Sequence, residues 1–96
     1  MIDDSWKTLT GRDRQTARRR ATFAWIDTLK DRDCHDCGLW FPPECMDFDH
    51  RPGETKLYNV AQMGTCSEET ILAEIAKCDL RCANCHRIQT KARKYG

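Results

Sequence analysis

Two cysteine pairs, Cys34-x-x-Cys37 and Cys82-x-x-Cys85, constrain this chain more than any other feature. Forty-four residues separate them. A two-residue spacing lets both thiolates of a turn face one ion, and two such turns complete a tetrahedron. Thiolate ligands select zinc over the hard divalent ions, and a closed four-thiolate site has no open position for chemistry. The expected role is therefore to fold the chain by tying its middle to its end. A chain of 96 residues with 32% charged and 8% aromatic residues has little apolar core. Small scaffolds of this kind need a disulfide or metal staple. Seven cysteines are an odd number, which excludes a fully disulfide-bonded monomer. The acidic start Met1-Ile2-Asp3-Asp4, with no apolar run after it, predicts no signal peptide. No stretch approaches the roughly 20 apolar residues of a membrane span. A reducing cytoplasm, where thiols bind metal more often than they pair, is the expected compartment. Cys45, Cys66 and Cys78 lack a CxxC partner and read as small buried hydrophobes. His35, inside the first pair, reads as a surface residue.

Net charge is +1, but it is unevenly spread. Residues 1–30 carry +3, residues 31–80 carry −7 and residues 81–96 carry +5. An acidic middle between basic ends suits a carboxylate-bearing metal site flanked by phosphate-contacting arms. It equally suits solvated helix faces.

The stretch from Arg12 to about Lys30 has no Pro or Gly, and Ala17, Ala21, Trp25 and Leu29 recur at i+4. This predicts a helix with its Trp side packed and Arg14, Arg18, Arg19 and Arg20 mostly off the stripe. Leu39-Trp40-Phe41 begins an extended segment, which Pro42-Pro43 interrupts. In the strand that follows, Cys45, Asp47 and Asp49 point one way and Met46, Phe48 and His50 the other. Arg51-Pro52-Gly53-Glu54 reads as a turn, and Leu57 to Met63 as a second strand or a loop return. Thr65-Cys66-Ser67-Glu68 matches a capping box. The helix it starts would bury Ile71, Leu72, Ile75 and Ala76. Arg81 to Arg87 reads as a cysteine-bearing turn leading into a last helix rich in Lys and Arg.

Asp49, His50 and His86 offer oxygen and nitrogen ligands, which suit a borderline or hard divalent ion with open positions. His86 directly follows Cys85, so the zinc turn would fix its place. A histidine beside a metal-binding Asp can act as a general base near neutral pH. A lone histidine in a small domain is more often a hydrogen-bonded structural residue. The flanking CxxC turns and basic ends favour the functional reading.

Together, Cys34-x-x-Cys37, Asp49-His50 and Cys82-Ala83-Asn84-Cys85-His86-Arg87 followed by Thr90 resemble the zinc-containing HNH endonuclease family. The likeness is to its small phage and bacterial members and covers roughly residues 31–93. The resemblance implies an α+β fold: a ββα-metal (His-Me finger) domain over residues 31–96, stapled by the four-cysteine zinc. Residues 1–30 would form an N-terminal basic helical arm. It implies phosphodiester hydrolysis of DNA, nicking with weak sequence preference. His50 would be the general base, Asp49 and His86 would hold the catalytic ion, and Cys34, Cys37, Cys82 and Cys85 would bind structural Zn²⁺. The catalytic ion would be Mg²⁺ or Mn²⁺, with Ni²⁺ or Zn²⁺ able to substitute. The chain departs from the family pattern where the middle Asn falls, because Lys77 holds that position. Asn59, ahead of Asn84, is the candidate for orienting the base or its loop.

Arg51, Arg81, Arg87, Lys91, Arg93 and Lys94 are the expected phosphate contacts, which position DNA without reading its sequence. Expected partners are DNA and a protein assembly such as a phage packaging complex, in a bacterial cell or phage-infected host. The chain itself would be a monomer or weak dimer. The competing reading is a non-cutting, zinc-ribbon-like nucleic-acid-binding module, or an accessory subunit of a packaging or restriction complex.

Overall fold

The computed structural model describes residues 1–95. It is a small mixed α/β structure whose main elements run α1 (Gly11–Leu29), β1 (Met46–His50), α2 (Glu68–Ile75), β2 (Cys78–Cys82) and α3 (Ala83–Tyr95). Short 3-10 turns lie at Ser5–Thr8, Pro43–Cys45 and Val60–Gln62. No described helix is long and apolar enough to cross a membrane.

The α1 helix forms where expected, but its buried face is rotated slightly. Thr22, Trp25 and Ile26 are buried, whereas Ala17, Ala21 and Leu29 are only partly covered. The Thr22 hydroxyl donates to the Arg18 carbonyl at 2.8 Å, so a buried polar side chain is satisfied inside its own helix. Trp25 and Ile26 join Val60, Met63 and Ile71 in one core cluster. The stretch 1–30 therefore shares its core with residues beyond 31. Full burial of Met63 and Ile71 stabilises the fold by about 1.5–3 kcal/mol each. The guanidinium groups of Arg14 and Arg18 lie over the Trp6 ring, at 5.1 and 5.0 Å from its centre. Those two arginines anchor the N-terminal turn, while Arg12, Arg19 and Arg20 face solvent.

Of the two readings of Leu57 to Met63 the loop return holds: the segment is a loop ending in the 3-10 turn at Val60–Gln62. The partner of β1 is β2, antiparallel, with Met46 opposite Cys82, Asp47 opposite Arg81, Phe48 opposite Leu80, Asp49 opposite Asp79 and His50 opposite Cys78. The sequence Cys-Asp-Leu-Arg-Cys alternates with period two, so Asp79 and Arg81 share a face with Asp47 and Asp49. The opposite face is apolar: Met46, Leu80 and Cys82 cluster with Cys34, and Phe48 packs on both this cluster and the α1 core.

Ser67 caps α2, its hydroxyl accepting from the Thr70 N–H at 3.2 Å, and Glu68 and Glu69 occupy the first turn. The buried face of this helix is Ile71 and Glu74, with Ile75 partly covered; Leu72 and Ala76 are exposed. A carboxylate takes the place expected for apolar residues because it has hydrogen-bond donors around it. Cys45 is exposed rather than buried, and Cys66 and Cys78 are intermediate. The 3-10 turn at Pro43–Cys45 holds Cys45 out of the strand. His35 is exposed, as expected.

Candidate metal centres

Four thiols come together. The Sγ atoms of Cys34, Cys37, Cys82 and Cys85 all lie within 4.8 Å of one another. Tetrahedral zinc with Zn–S bonds of about 2.3 Å requires sulfurs about 3.8 Å apart, so the donor set and its spacing fit such an ion. Local backbone builds the cluster. Gly38 adopts φ +72°, a conformation that L side chains rarely take, and its N–H closes the first turn on the Cys34 carbonyl at 3.0 Å. The His35 N–H donates to the Leu80 carbonyl at 2.8 Å, pinning that turn to β2. The Cys82 N–H points at Cys34 Sγ (3.3 Å) and the Cys85 N–H at Cys82 Sγ (3.4 Å). Burial pushes the Cys34 thiol up, but backbone N–H bonds from Cys37, Cys82 and Asp36 outweigh it and bring it down to about 6. The hydrogen bond with Cys82, followed by burial, pushes Cys85 up to about 12.

The second centre lies where α3 crosses the acidic face of the sheet. The Nε2 atom of His86 is 3.5 Å from Asp49 Oδ1, and its Nδ1 is 3.0 Å from Asp47 Oδ2. A carboxylate on one ring nitrogen sets the imidazole's orientation and leaves the other nitrogen to bind. Asp47 was not among the expected site residues, although its place two residues before Asp49 on one strand face was legible. Asp49 is 6% exposed. Its Oδ2 accepts from Arg81 at 2.7 Å, and its Oδ1 accepts from Arg93 at 3.0 Å. Arginines thus engage both oxygens of Asp49, and among the described residues only the four thiols gather three or more ligand atoms close enough to share an ion. A cleft of about 560 Å³ adjoins the Asp49–His86 pair, lined by Lys30, Asp47, Phe48, Asn59 and His86 among others.

His50 is not gathered with Asp49 and His86. The strand's alternation turns its side chain to the other face of β1, where its Nε2 meets Glu74 Oε2 at 2.7 Å. Asn59 reaches the cleft, but its side-chain amide donates to Gln62 (3.3 Å). The group bonded to His50 is Glu74.

The expected phosphate contacts divide. Arg81 is 6% exposed and bonds Asp36 (2.8 Å), Asp49 and Asp79 (3.4 Å). It is an internal strut that joins the first cysteine turn to Asp49, so it is not available to DNA. The Arg81 hydrogen bond holds the Asp36 carboxyl below its ordinary range. Arg51 donates to the carbonyls of Ala76 (2.6 Å) and Cys78 (3.0 Å) and clamps the junction of α2 and β2. Arg93 is engaged by Asp49. Arg87 and Lys91 are exposed on α3 and line a shallow groove with His86 and Lys94.

Glu74 also accepts from the N–H groups of Leu57 (3.1 Å) and Tyr58 (3.5 Å) and from Lys77 Nζ (3.0 Å). Burial would raise its carboxyl, but the His50, Lys77 and backbone bonds win and hold it at about 2. A depressed carboxyl stabilises the fold above its ordinary value of 4.5 and loses that contribution as pH falls toward 2. The stability difference between wild type and Glu74→Gln, measured by urea unfolding, should shrink as pH falls from 4.5 to 2. A constant difference would show that the carboxylate's charge contributes nothing there.

Comparison with protein-family models, curated proteins and solved structures returns no match to this chain.

Proposed function

We propose that this chain is a metal-dependent DNA endonuclease of the HNH type, with β1, β2 and α3 as its ββα-metal unit. In this reading the four cysteines hold structural Zn²⁺, and Asp49 and His86 hold a catalytic Mg²⁺ or Mn²⁺. The observation that carries the proposal is His86 held between Asp47 and Asp49, immediately after a four-thiol cluster that fixes the start of its helix. Such an ion would stabilise charge on the phosphate and on the leaving 3′ oxygen. The chain's own groups do the rest. Asp47 orients the imidazole of His86, and Arg81 holds Asp49 in place. His50, the base that the resemblance implies, lies on the other face of β1 with its Nε2 on Glu74 at 2.7 Å, so this reading assigns the attacking water no base from that histidine. Arg87 and Lys91 offer positive charge to the DNA backbone beside the site.

The test is cleavage of supercoiled plasmid by zinc-loaded protein, with and without added Mg²⁺ or Mn²⁺. Nicking that needs the ion, and that falls at least about 100-fold in His86→Ala, is the expected result. Absence of nicking with every ion, from folded and zinc-loaded protein, would favour the non-cutting module.

A further inference from the structure

We infer that a single, unpaired DNA strand runs across this chain from α1 to α3. Its phosphates lie on Arg19 and Arg20 at one end and on Arg87 and Lys91 at the other, and a base is seated against Phe23 between them. This rests on the nucleic-acid reading above, but not on which residues cut. Three adjoining hollows mark the path, and the side chains they share make it continuous. Arg19, Arg20, Phe23 and Asp27 line the first. Phe23 and Asp27 also line the cleft of about 560 Å³. His86 lines both that cleft and the groove on α3 that holds Arg87 and Lys91. Arg20, Phe23 and Asp27 follow one another at steps of three and four, so they share one face of α1, with Arg20 and Asp27 roughly 10 Å apart along it. The α1 half of the path lies outside residues 31–93, whose motifs carry the nuclease reading.

The cations at both ends are free. Arg19, Arg20, Arg87 and Lys91 are exposed and make no ion pair among the described residues, unlike Arg51, Arg81 and Arg93. The middle is different. Asp27 and Asp47 place carboxylates there, which repel phosphate, while the Phe23 ring and the amides of Asn59 and Gln62 suit a base. Phe48 is less accessible to a base, since the Lys30 ammonium lies over its ring at 6.0 Å. Cationic ends that hold the backbone, joined by an aromatic ring on which a base stacks, are how a groove takes a single strand. The cleft's volume is within the range of about 300–1,000 Å³ of small-molecule sites. A base in a duplex must first be unpaired and unstacked to enter it, so single-stranded DNA binds more tightly than duplex.

The test is fluorescence anisotropy of the zinc-loaded protein, without Mg²⁺ or Mn²⁺. The probe is a labelled oligothymidylate of about 12 nucleotides, inside the roughly 4–16 that such grooves cover. A duplex of equal length and an abasic oligomer with the same number of phosphates are the controls. Wild type should bind the oligothymidylate more tightly than either, and the abasic strand at least about fivefold more weakly, the loss of one stacked base. Phe23→Leu should remove that difference. Arg19→Ala with Arg20→Ala, and Arg87→Ala with Lys91→Ala, should each weaken binding and flatten the slope of log Kd against log salt by about 1.4, for two phosphates at about 0.7 each. Metal content and a thermal melt check each variant; if Phe23→Leu does not fold, the abasic comparison in wild type decides. Equal affinity for the abasic strand, or tighter binding of the duplex, overturns the seated base. A folded Arg19–Arg20 variant with wild-type affinity and slope overturns the path across α1. Binding as expected from a protein that does not nick leaves the path standing and removes the nuclease reading. Nicking by a protein whose arginine variants bind like wild type does the reverse.

Discussion

Replacing Cys82 by Ser is expected to abolish metal binding at the four-thiol cluster and unfold the domain in one step. Cys82 is at once the last residue of β2, a member of the Met46–Leu80 core cluster and one of the four clustered thiols. Structural zinc contributes on the order of 10–16 kcal/mol in small domains at neutral pH, comparable to or larger than the net stability of about 5–15 kcal/mol of a typical domain. Among the described residues only nine hydrophobic side chains are buried, two of them cluster cysteines, so the fold has little else to fall back on. Metal content by mass spectrometry and a thermal melt should fall together, and added chelator should reproduce the effect in wild type. A variant that keeps its zinc and its melting temperature would refute the staple. The effect should also reach the second centre. His86 follows Cys85 on the first turn of α3, and Arg81 spans from Asp36 in the first cysteine turn to Asp49. Losing the cluster releases both supports of the Asp49–His86 pair.

The second large effect concerns His50. His50→Ala should lower the melting temperature, because it leaves buried Glu74 short of one donor, a cost of roughly 1–3 kcal/mol. His50→Gln retains a side-chain N–H for Glu74 and should melt closer to wild type. Metal content should stay intact in both, since the side chain lies across β1 from the Asp49–His86 pair. A His50→Ala protein that melts like wild type would show that the clasp contributes nothing, and one that keeps its fold but loses nicking would return the base role to His50.

Much of this was legible in local pattern. The CxxC spacing announced the thiol cluster, because two-residue turns present both sulfurs to one side whatever the rest of the chain does. The helix from residue 11 followed from a long run without Pro or Gly. Alternation placed Asp47 and Asp49 on one face of β1 and His50 on the other. The same alternation in Cys78-Asp79-Leu80-Arg81-Cys82 marks a strand, but the cysteine turn beginning at Cys82 masks it, which leaves Leu57 to Met63 open as a strand or a loop return in the sequence.

What only the tertiary structure decided is how charges meet across long separations. Arg81 reads as one more basic residue near a basic tail, yet pairing β2 with β1 buries it among Asp36, Asp49 and Asp79, where it serves as a strut. Glu74 reads as the solvated position of an amphipathic helix, yet it is buried because His50, Lys77 and two loop N–H groups converge on it. Asp47 reads as a spare acid until α3 brings His86 against it. Residue spacing sets which atoms can share a turn or a face, a matter of a few ångströms along the chain. Whether a charged side chain becomes a surface contact, a strut or a positioning group depends on the partners that meet it after desolvation. Those partners lie 24 to 45 residues away in sequence for His50 with Glu74, Arg81 with Asp49, His86 with Asp47 and Arg81 with Asp36.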